Sequence, residues 1–292
     1  MDPWDISALT PIEHHGNRWY KRDDQFAPLG PTGVNGTKLR QLIRMVEDIA
    51  TSGAKGLVTA ASAHSPQIPM TALVGARFGL PVHIITGGKG METVSLKQGV
   101  QIALEAGATI QPTMPAYNPV LQHAARSALA ERPGWAMVPY AISIPEPATE
   151  AEAWRFHDAS SAQAANLPAA EALIIAFGSG NSSASILWGI DRFNIDIREV
   201  HLIGVGPSRI DWLVNRLDQL GAVHMIDRCV HHDLHGAGLV TYGERVNATS
   251  DGINLHPNYE AKVARYLASE PHPVPEWDEG DCGWWIVGNE PG

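Results

Sequence analysis

Short apolar runs alternate with amphipathic segments along most of the chain. Four runs have the length and composition of buried strands, at residues 56–60, 81–86, 172–177 and 199–205. The segments that follow them have helical spacing, at residues 69–78, 95–106, 183–190 and 210–220. Strands joined by helices are typical of parallel sheets, so the alternation predicts β–α–β units.

The periodicity weakens between residues 112 and 147, where prolines are frequent. We interpret this stretch as the end of one lobe and the crossing to another. The predicted fold is therefore α/β with two lobes. The expected division is a large domain of residues 1–50 plus 148–292 and a small domain of residues 51–147 inserted in it.

Composition narrows the classes of function. Among 292 residues there are 21 Lys and Arg and 31 Asp and Glu, a net charge of −10, which excludes a global attraction to nucleic acid or anionic membranes but leaves a local basic groove possible. Two cysteines, Cys229 and Cys282, are too few for a disulfide scaffold or a four-cysteine zinc site. No secretion signal and no long apolar run are apparent, so we expect a cytoplasmic protein without a membrane span.

A lysine follows the glycine-rich turn that precedes the predicted helix 39–50. The positive end of a helix dipole disfavours a cation, so this position would lower the pKa of Lys38 and make its amine a better nucleophile. The alternative is a solvated surface lysine, which is the commoner situation for this residue type.

Two turns between a strand and a helix could hold anions. In the first turn, the Ser65 hydroxyl and nearby N–H groups could bind a carboxylate or phosphate, or Ser65 could simply cap the helix before Pro66. The second turn has glycines that would let a phosphate approach the backbone, or it is an ordinary tight turn. Its sequence is Gly178-Ser179-Gly180-Asn181-Ser182.

Together with the segment 256–262, these features resemble the pyridoxal-phosphate (PLP) enzymes of the tryptophan synthase β-chain fold, also called fold type II. The nearest branch is that of 1-aminocyclopropane-1-carboxylate deaminase and D-cysteine desulfhydrase. The segments that carry the resemblance are Thr10-Pro11, Lys21-Arg22-Asp23-Asp24, Gly36-Thr37-Lys38-Leu39-Arg40, Ser65-Pro66-Gln67, the loop 178–182 and His256-Pro257-Asn258-Tyr259-Glu260-Ala261-Lys262. The resemblance implies two lobes, each a mostly parallel twisted sheet flanked by helices, and a homodimer.

The resemblance also implies roles. Lys38 would attach the cofactor as a Schiff base and move protons at the substrate α-carbon. Glu260 would face the pyridine nitrogen and favour its protonated form, which strengthens the ring as an electron sink. The cofactor phosphate would lie against the backbone N–H groups of Gly178, Ser179, Gly180, Asn181 and Ser182. Tyr259 and Tyr242 would be active-site tyrosines, and Ser65 and Gln67 would bind the substrate carboxylate.

Several positions depart from that pattern. Pro66 replaces an asparagine that would hydrogen-bond the cofactor's 3′-oxygen, and proline offers no donor, so His64 becomes the candidate for this bond. Thr37 and Asn181 replace an asparagine and a glycine. Because the lysine, the phosphate loop and the ring-nitrogen acid remain, we expect cofactor binding with a substrate that need not be a small free amino acid.

The expected function is a PLP-dependent reaction at the α-carbon of an amino-acid substrate, with elimination and deamination favoured by the nearest branch. One alternative is an isomerase or decarboxylase that acts on an aminoacyl group carried by a larger molecule such as a modified nucleotide. Another is a catalytically inactive homologue that only binds. A metal site at His231 and His235 is a weaker hypothesis than a polar loop there, so no metal is expected.

Overall fold

The structure is a computed structural model that describes residues 4–30, 34–144, 146–269, 274–275, 277–278 and 280–288. The chain divides into two compact units, each held together by its own internal contacts. Unit 1 comprises residues 1–28, 35–38 and 148–292, and unit 2 comprises residues 29–34 and 39–147. Helix α1 therefore begins in unit 1 and continues in unit 2.

The strands of the described residues are β1 Ile12–His15, β2 Arg18–Arg22, β3 Leu57–Ala61, β4 Val82–Gly87, β5 Thr109–Thr113, β6 Ala136–Val138, β7 Ala170–Phe177, β8 Ile197–Gly204, β9 Cys229–Asp233, β10 Thr249–Ser250, β11 Ile253–Asn254 and β12 Cys282–Ile286. The helices are α1 Thr37–Thr51, α2 Gln67–Arg77, α3 Met91–Val94, α4 Gln98–Glu105, α5 Asn118–Ala130, α6 Glu150–Ser161, α7 Asn181–Arg192, α8 Ile210–Gln219 and α9 Glu260–Leu267. None of these helices is both long and apolar enough to cross a bilayer.

In unit 1 the main sheet of the described residues has the order β1-β2-β12-β7-β8-β9. Only β1 and β2 pair antiparallel, and the other neighbours are parallel. Strand β12 lies between β2 and β7, where Trp284 and Trp285 are buried. Gly283 admits the Trp19 ring, because a Cβ there would lie 2.1 Å from it.

In the described part of unit 2 the sheet has the order β5-β4-β3-β6, with all neighbours parallel. The chain moves outward from β3 to β4 and β5 and then returns to the other side of β3 for β6. This reversal creates a topological switch point at the carboxyl ends of β3 and β6. Such a point is where open α/β sheets usually bind ligands.

The predicted α/β fold and its parallel strands are confirmed. The helix expected over 95–106 is present as α4, but it begins at Gln98 because the backbone of Lys97 is extended, and a further short helix, α3, precedes it at Met91–Val94. The stretch 112–147 is more regular than expected and contains α5 and β6. The polar loop expected around His231 is in part strand β9, which ends at Asp233 and pairs with β8.

The imidazole of His157, on α6, is completely buried within unit 1. Its Nδ1 lies 2.7 Å from the Ser185 hydroxyl, which donates to the Asn181 carbonyl. Nδ1 is therefore the donor toward Ser185. Burial, and secondarily the charge of Arg216, lowers the pKa of His157 to about 3. The folded protein thus holds this ring neutral where the unfolded chain protonates it.

We expect this ring to make folding sensitive to acid. Below the unfolded pKa of about 6.5 only the unfolded state takes up the proton, so stability is lost as pH falls toward about 3. Between pH 6.5 and 5.0 the loss from this group is about 2 kcal/mol, at about 1.4 kcal/mol per pH unit. Urea unfolding of wild type and His157→Gln at both pH values measures it. Equal pH dependence in the two proteins would contradict the assignment.

Candidate active site

Lys38 is the second residue of α1, and the turn before it is fixed by backbone contacts in unit 1. The Gly36 N–H donates to the Phe26 carbonyl and the Thr37 N–H to the Val287 carbonyl, both at 2.9 Å. Gly36 has a φ of +84°, and a Cβ there would lie 2.1 Å from the Val287 oxygen. Only glycine fits this turn, so the start of the Lys38 side chain is held in place.

The Lys38 amine lies among aromatic and acidic side chains. Its Nζ is 5.7 Å from the centroid of the Tyr259 ring, a cation–π distance. Burial lowers the pKa of Lys38, and the nearby Tyr242 and Glu260 oppose that shift. The amine is therefore not a solvated surface group. A larger neutral fraction makes it a better nucleophile and base at neutral pH.

Glu260, the first residue of α9, has a fully buried carboxyl group. Its Oε1 accepts a 3.3 Å hydrogen bond from the Val287 N–H, and its Oε2 has no hydrogen-bond partner among the described residues. Burial raises the pKa of Glu260 to about 8, against the opposing influence of Lys38. A buried acceptor without a donor is costly, so this oxygen suits a ligand that brings an N–H.

The loop 178–182 joins β7 to α7 and packs tightly on aromatic rings of unit 1. A Cβ at Gly178 would lie 3.1 Å from the Tyr259 ring. Gly180 has a φ of +90°, and a Cβ there would lie 2.7 Å from the Trp212 ring. Tyr259 therefore contacts both the loop and the Lys38 amine. The start of α7 presents free N–H groups and the positive end of a helix dipole, an arrangement that can hold a phosphate.

The structure also brings Tyr242 to this site. Its hydroxyl shares a hydrogen bond with Tyr259, and Tyr259 together with burial raises the pKa of Tyr242. The Tyr242 ring covers Gly206, where a Cβ would lie 2.6 Å from it. The structure therefore pairs the two tyrosines that the resemblance implied for the active site.

His64, Ser65 and Gln67 belong to unit 2, at the turn between β3 and α2. His64 is exposed, and the Ser65 hydroxyl accepts a 3.3 Å hydrogen bond from the Gln67 N–H. The Gln67 side-chain amide donates to the Thr59 hydroxyl at 2.7 Å and to the Pro139 carbonyl at 2.8 Å. Both amide hydrogens are thus engaged in joining the ends of β3 and β6. The oxygen that remains is an acceptor, which does not suit a carboxylate.

Sequence reasoning missed two supporting residues and the contact made by a third. The backbone of Val287 hydrogen-bonds both the turn before Lys38 and the carboxyl group of Glu260. Such backbone contacts leave no pattern of side chains in the sequence. Trp212 is one of nine tryptophans, and only the fold places it against Gly180. The buried Asp23 accepts a hydrogen bond from the Thr37 hydroxyl. The acidic segment that contains Asp23 was the one feature of the sequence that pointed to this residue.

These unit 1 residues fit pyridoxal phosphate. The unpartnered Glu260 oxygen suits a pyridinium N–H, the tight glycine loop at the start of α7 suits the phosphate, and the enclosed Lys38 amine suits the aldehyde. For metal ions, no group of three or more His, Cys, Asp or Glu side chains in the described residues could serve as ligands.

No protein-family model matches the chain. It is 29% identical to an O-seryl-dTMP PLP-dependent decarboxylase of Salmonella phage ViI, over 94% of this chain and 78% of that protein. It is 25% identical to a candidate 1-aminocyclopropane-1-carboxylate deaminase of Pyrococcus horikoshii, over 89% of this chain and 82% of that protein.

Solved structures share the architecture at lower identity. A homologue of 1-aminocyclopropane-1-carboxylate (ACC) deaminase superimposes with a TM-score of 0.70 at 21% identity, over 97% of this chain and 90% of the other. Diaminopropionate ammonia lyase of Escherichia coli gives a TM-score of 0.61 at 12% identity, over 99% of this chain and 87% of the other. The expected fold type II architecture is therefore confirmed.

Proposed function

From the fold type II architecture of this chain, we propose that it is a PLP-dependent enzyme acting at the α-carbon of an amino-acid group, and that its reaction is decarboxylation of a seryl group carried by thymidylate. The buried Glu260 oxygen without a partner, beside the Lys38 amine and Tyr259, is the observation that carries the cofactor assignment. The 29% identity to the phage decarboxylase over 94% of the chain supports the choice of reaction and substrate.

The chain's own groups account for the proton movements. Bound pyridoxal phosphate supplies an electron sink for the negative charge left at the α-carbon. Glu260 would hold a proton at the ring nitrogen of the cofactor, and its burial would make that pairing strong. Lys38, with its lowered pKa, delivers a proton to the α-carbon as CO₂ leaves. The Tyr242–Tyr259 pair orients the amine through the Tyr259 ring.

In unit 2, we assign the substrate carboxylate to the Ser65 hydroxyl and the N–H groups that begin α2. Gln67 becomes a positioning residue in this assignment, because its two amide hydrogens hold Thr59 and Pro139. His64 stays the candidate donor for the 3′-oxygen of the cofactor. The homodimer and the cytoplasmic location stay predictions from the sequence.

Elimination with deamination is the second candidate. The 25% identity to the candidate deaminase of Pyrococcus horikoshii favours it. The two reactions move protons in opposite directions. Elimination from an amino acid with an α-hydrogen, such as serine, requires Lys38 to remove the α-proton, whereas decarboxylation leaves that proton and adds another.

The products distinguish the candidates. PLP-loaded protein is incubated with O-seryl-dTMP, with free serine and with 1-aminocyclopropane-1-carboxylate. We expect CO₂ and an amine only from O-seryl-dTMP, and in D₂O the amine should carry one deuterium at the former α-carbon. Ammonia and a 2-oxo acid from a free amino acid would replace this proposal with elimination. The absence of turnover and of any spectral change with every amine would indicate a binding homologue.

A further inference from the structure

An exposed apolar surface lies at the carboxyl edge of the unit 2 sheet. Neighbouring apolar side chains that are exposed together are candidates for a binding surface. Met114 is 55% exposed and Tyr117 is 71% exposed, both in the turn between β5 and α5. Tyr117 is the N-cap of α5, and its side chain makes no capping hydrogen bond.

This turn is joined to the loop after β4. The Gly88 N–H donates to the Thr113 carbonyl at 3.2 Å, and a Cβ at Gly87 would lie 2.6 Å from the Ala116 Cβ. The two loops therefore form one surface. The turn with Ser65 follows β3, the next strand in the same sheet.

The spacing of the strands gives the distance between the Ser65 turn after β3 and the exposed turn after β5. Neighbouring strands lie about 4.8 Å apart, so the ends of β3 and β5 lie roughly 10 Å apart with β4 between them. A seryl group held at Ser65 can place an attached nucleotide over the β5 end across such a distance. The geometry thus relates the exposed tyrosine to the same substrate.

The charge of unit 2 suits an anion. Residues 39–147 contain eight Lys and Arg against six Asp and Glu, although the whole chain has a net charge of −10. Lys89 lies in the loop after β4 and Lys97 lies between α3 and α4, and neither forms an ion pair with any described residue. Glu92, whose carboxylate lies over Gly90, offsets one of these two charges. The loop therefore keeps a positive charge available to a phosphate.

We propose that Tyr117 and Met114 form a platform on which the thymine base of the substrate stacks, while Lys89 and Lys97 attract its phosphate. This inference rests on the proposed function, because it names the part of the substrate that lies beyond the seryl group. An aromatic ring stacks on a base face without needing hydrogen-bond readout, and a lysine contributes a flexible point charge. Tyr117 is a specificity residue in this arrangement and takes no part in bond breaking.

The test is titration of PLP-loaded protein with dTMP alone. Tyr117→Ala should weaken dTMP binding about tenfold, which is within the range for loss of one base-stacking contact. Tyr117→Phe should bind as wild type does. Lys89→Gln should bind more weakly and show a smaller dependence of affinity on salt concentration. Trp154→Ala removes an aromatic side chain that is 53% exposed in unit 1 and should change nothing.

Turnover of O-seryl-dTMP gives the second readout. Tyr117→Ala should raise KM about tenfold and leave kcat and the cofactor absorbance unchanged. Equal dTMP affinity in Tyr117→Ala and wild type would overturn the platform, as would a change of oligomeric state in Tyr117→Ala without a change in affinity. If dTMP binding depends on Tyr117 but no CO₂ forms, the platform stands and the proposed reaction falls.

Discussion

Replacing Lys38 with alanine will abolish turnover and the visible absorbance band of lysine-bound pyridoxal phosphate. The amine is the one group that the proposal uses both to hold the cofactor covalently and to move the proton at the α-carbon. Loss of the proton transfer alone reduces the rate about 10²–10⁴-fold. Spectra of the purified variant after PLP loading, together with rates of CO₂ release, measure both effects.

Two further variants make this result specific to the amine. Lys38→Arg retains a positive charge near Tyr259 and Glu260. A guanidinium stays protonated, so it can neither attach the cofactor nor move a proton, and this variant should be as inactive as Lys38→Ala. Lys55→Ala removes a lysine before β3 and should behave as wild type. Added methylamine should partly restore turnover in Lys38→Ala. A Lys38→Ala protein that keeps the absorbance band would refute the assignment of the cofactor lysine.

Local sequence signals predicted much of this site because they are steric or electrostatic. Gly36 and Gly180 have positive φ values and leave no space for a Cβ, so their glycines mark tight turns in the sequence itself. Lys38 at the start of a helix and Glu260 in the first turn of another were visible in the same way. Short β–α turns of this kind carry most of their geometry in a few residues.

Contacts between distant segments were not predictable from such patterns. The Val287 backbone reaches both Thr37 and Glu260, but the sequence shows only an apolar residue after a strand. Gln67 was expected to bind substrate, yet its amide joins Thr59 to Pro139, a partner 72 residues away. Strand β9 was missed because its histidines lack the apolar alternation that indicates a strand.

Replacing Glu260 with glutamine should have opposite effects on the apoprotein and on catalysis. The folded pKa of Glu260 is raised to about 8 from an ordinary value near 4.5, so its contribution to stability is present below pH 4.5 and is lost as pH rises toward 8. At pH 7.0 the unfolded chain ionises this carboxyl group and the folded apoprotein keeps it mostly protonated, which costs the apoprotein about 3 kcal/mol, at about 1.4 kcal/mol per pH unit. Glu260→Gln apoprotein should therefore be the more stable protein in urea unfolding at that pH.

Catalysis should fall because glutamine keeps the shape of the side chain and loses its charge. Glutamine can still accept a hydrogen bond from the ring nitrogen, but it no longer favours the protonated ring, so we expect kcat about 10²-fold lower with PLP still bound. The increase in Tm on PLP addition should be larger for wild type than for the variant, because only the carboxylate gains a charged partner. Glu171→Gln, at an exposed ion pair with Arg198, is the matched control and should change neither quantity. Equal increases in Tm for wild type and Glu260→Gln, with unchanged kcat, would show that this carboxylate does not face the cofactor ring.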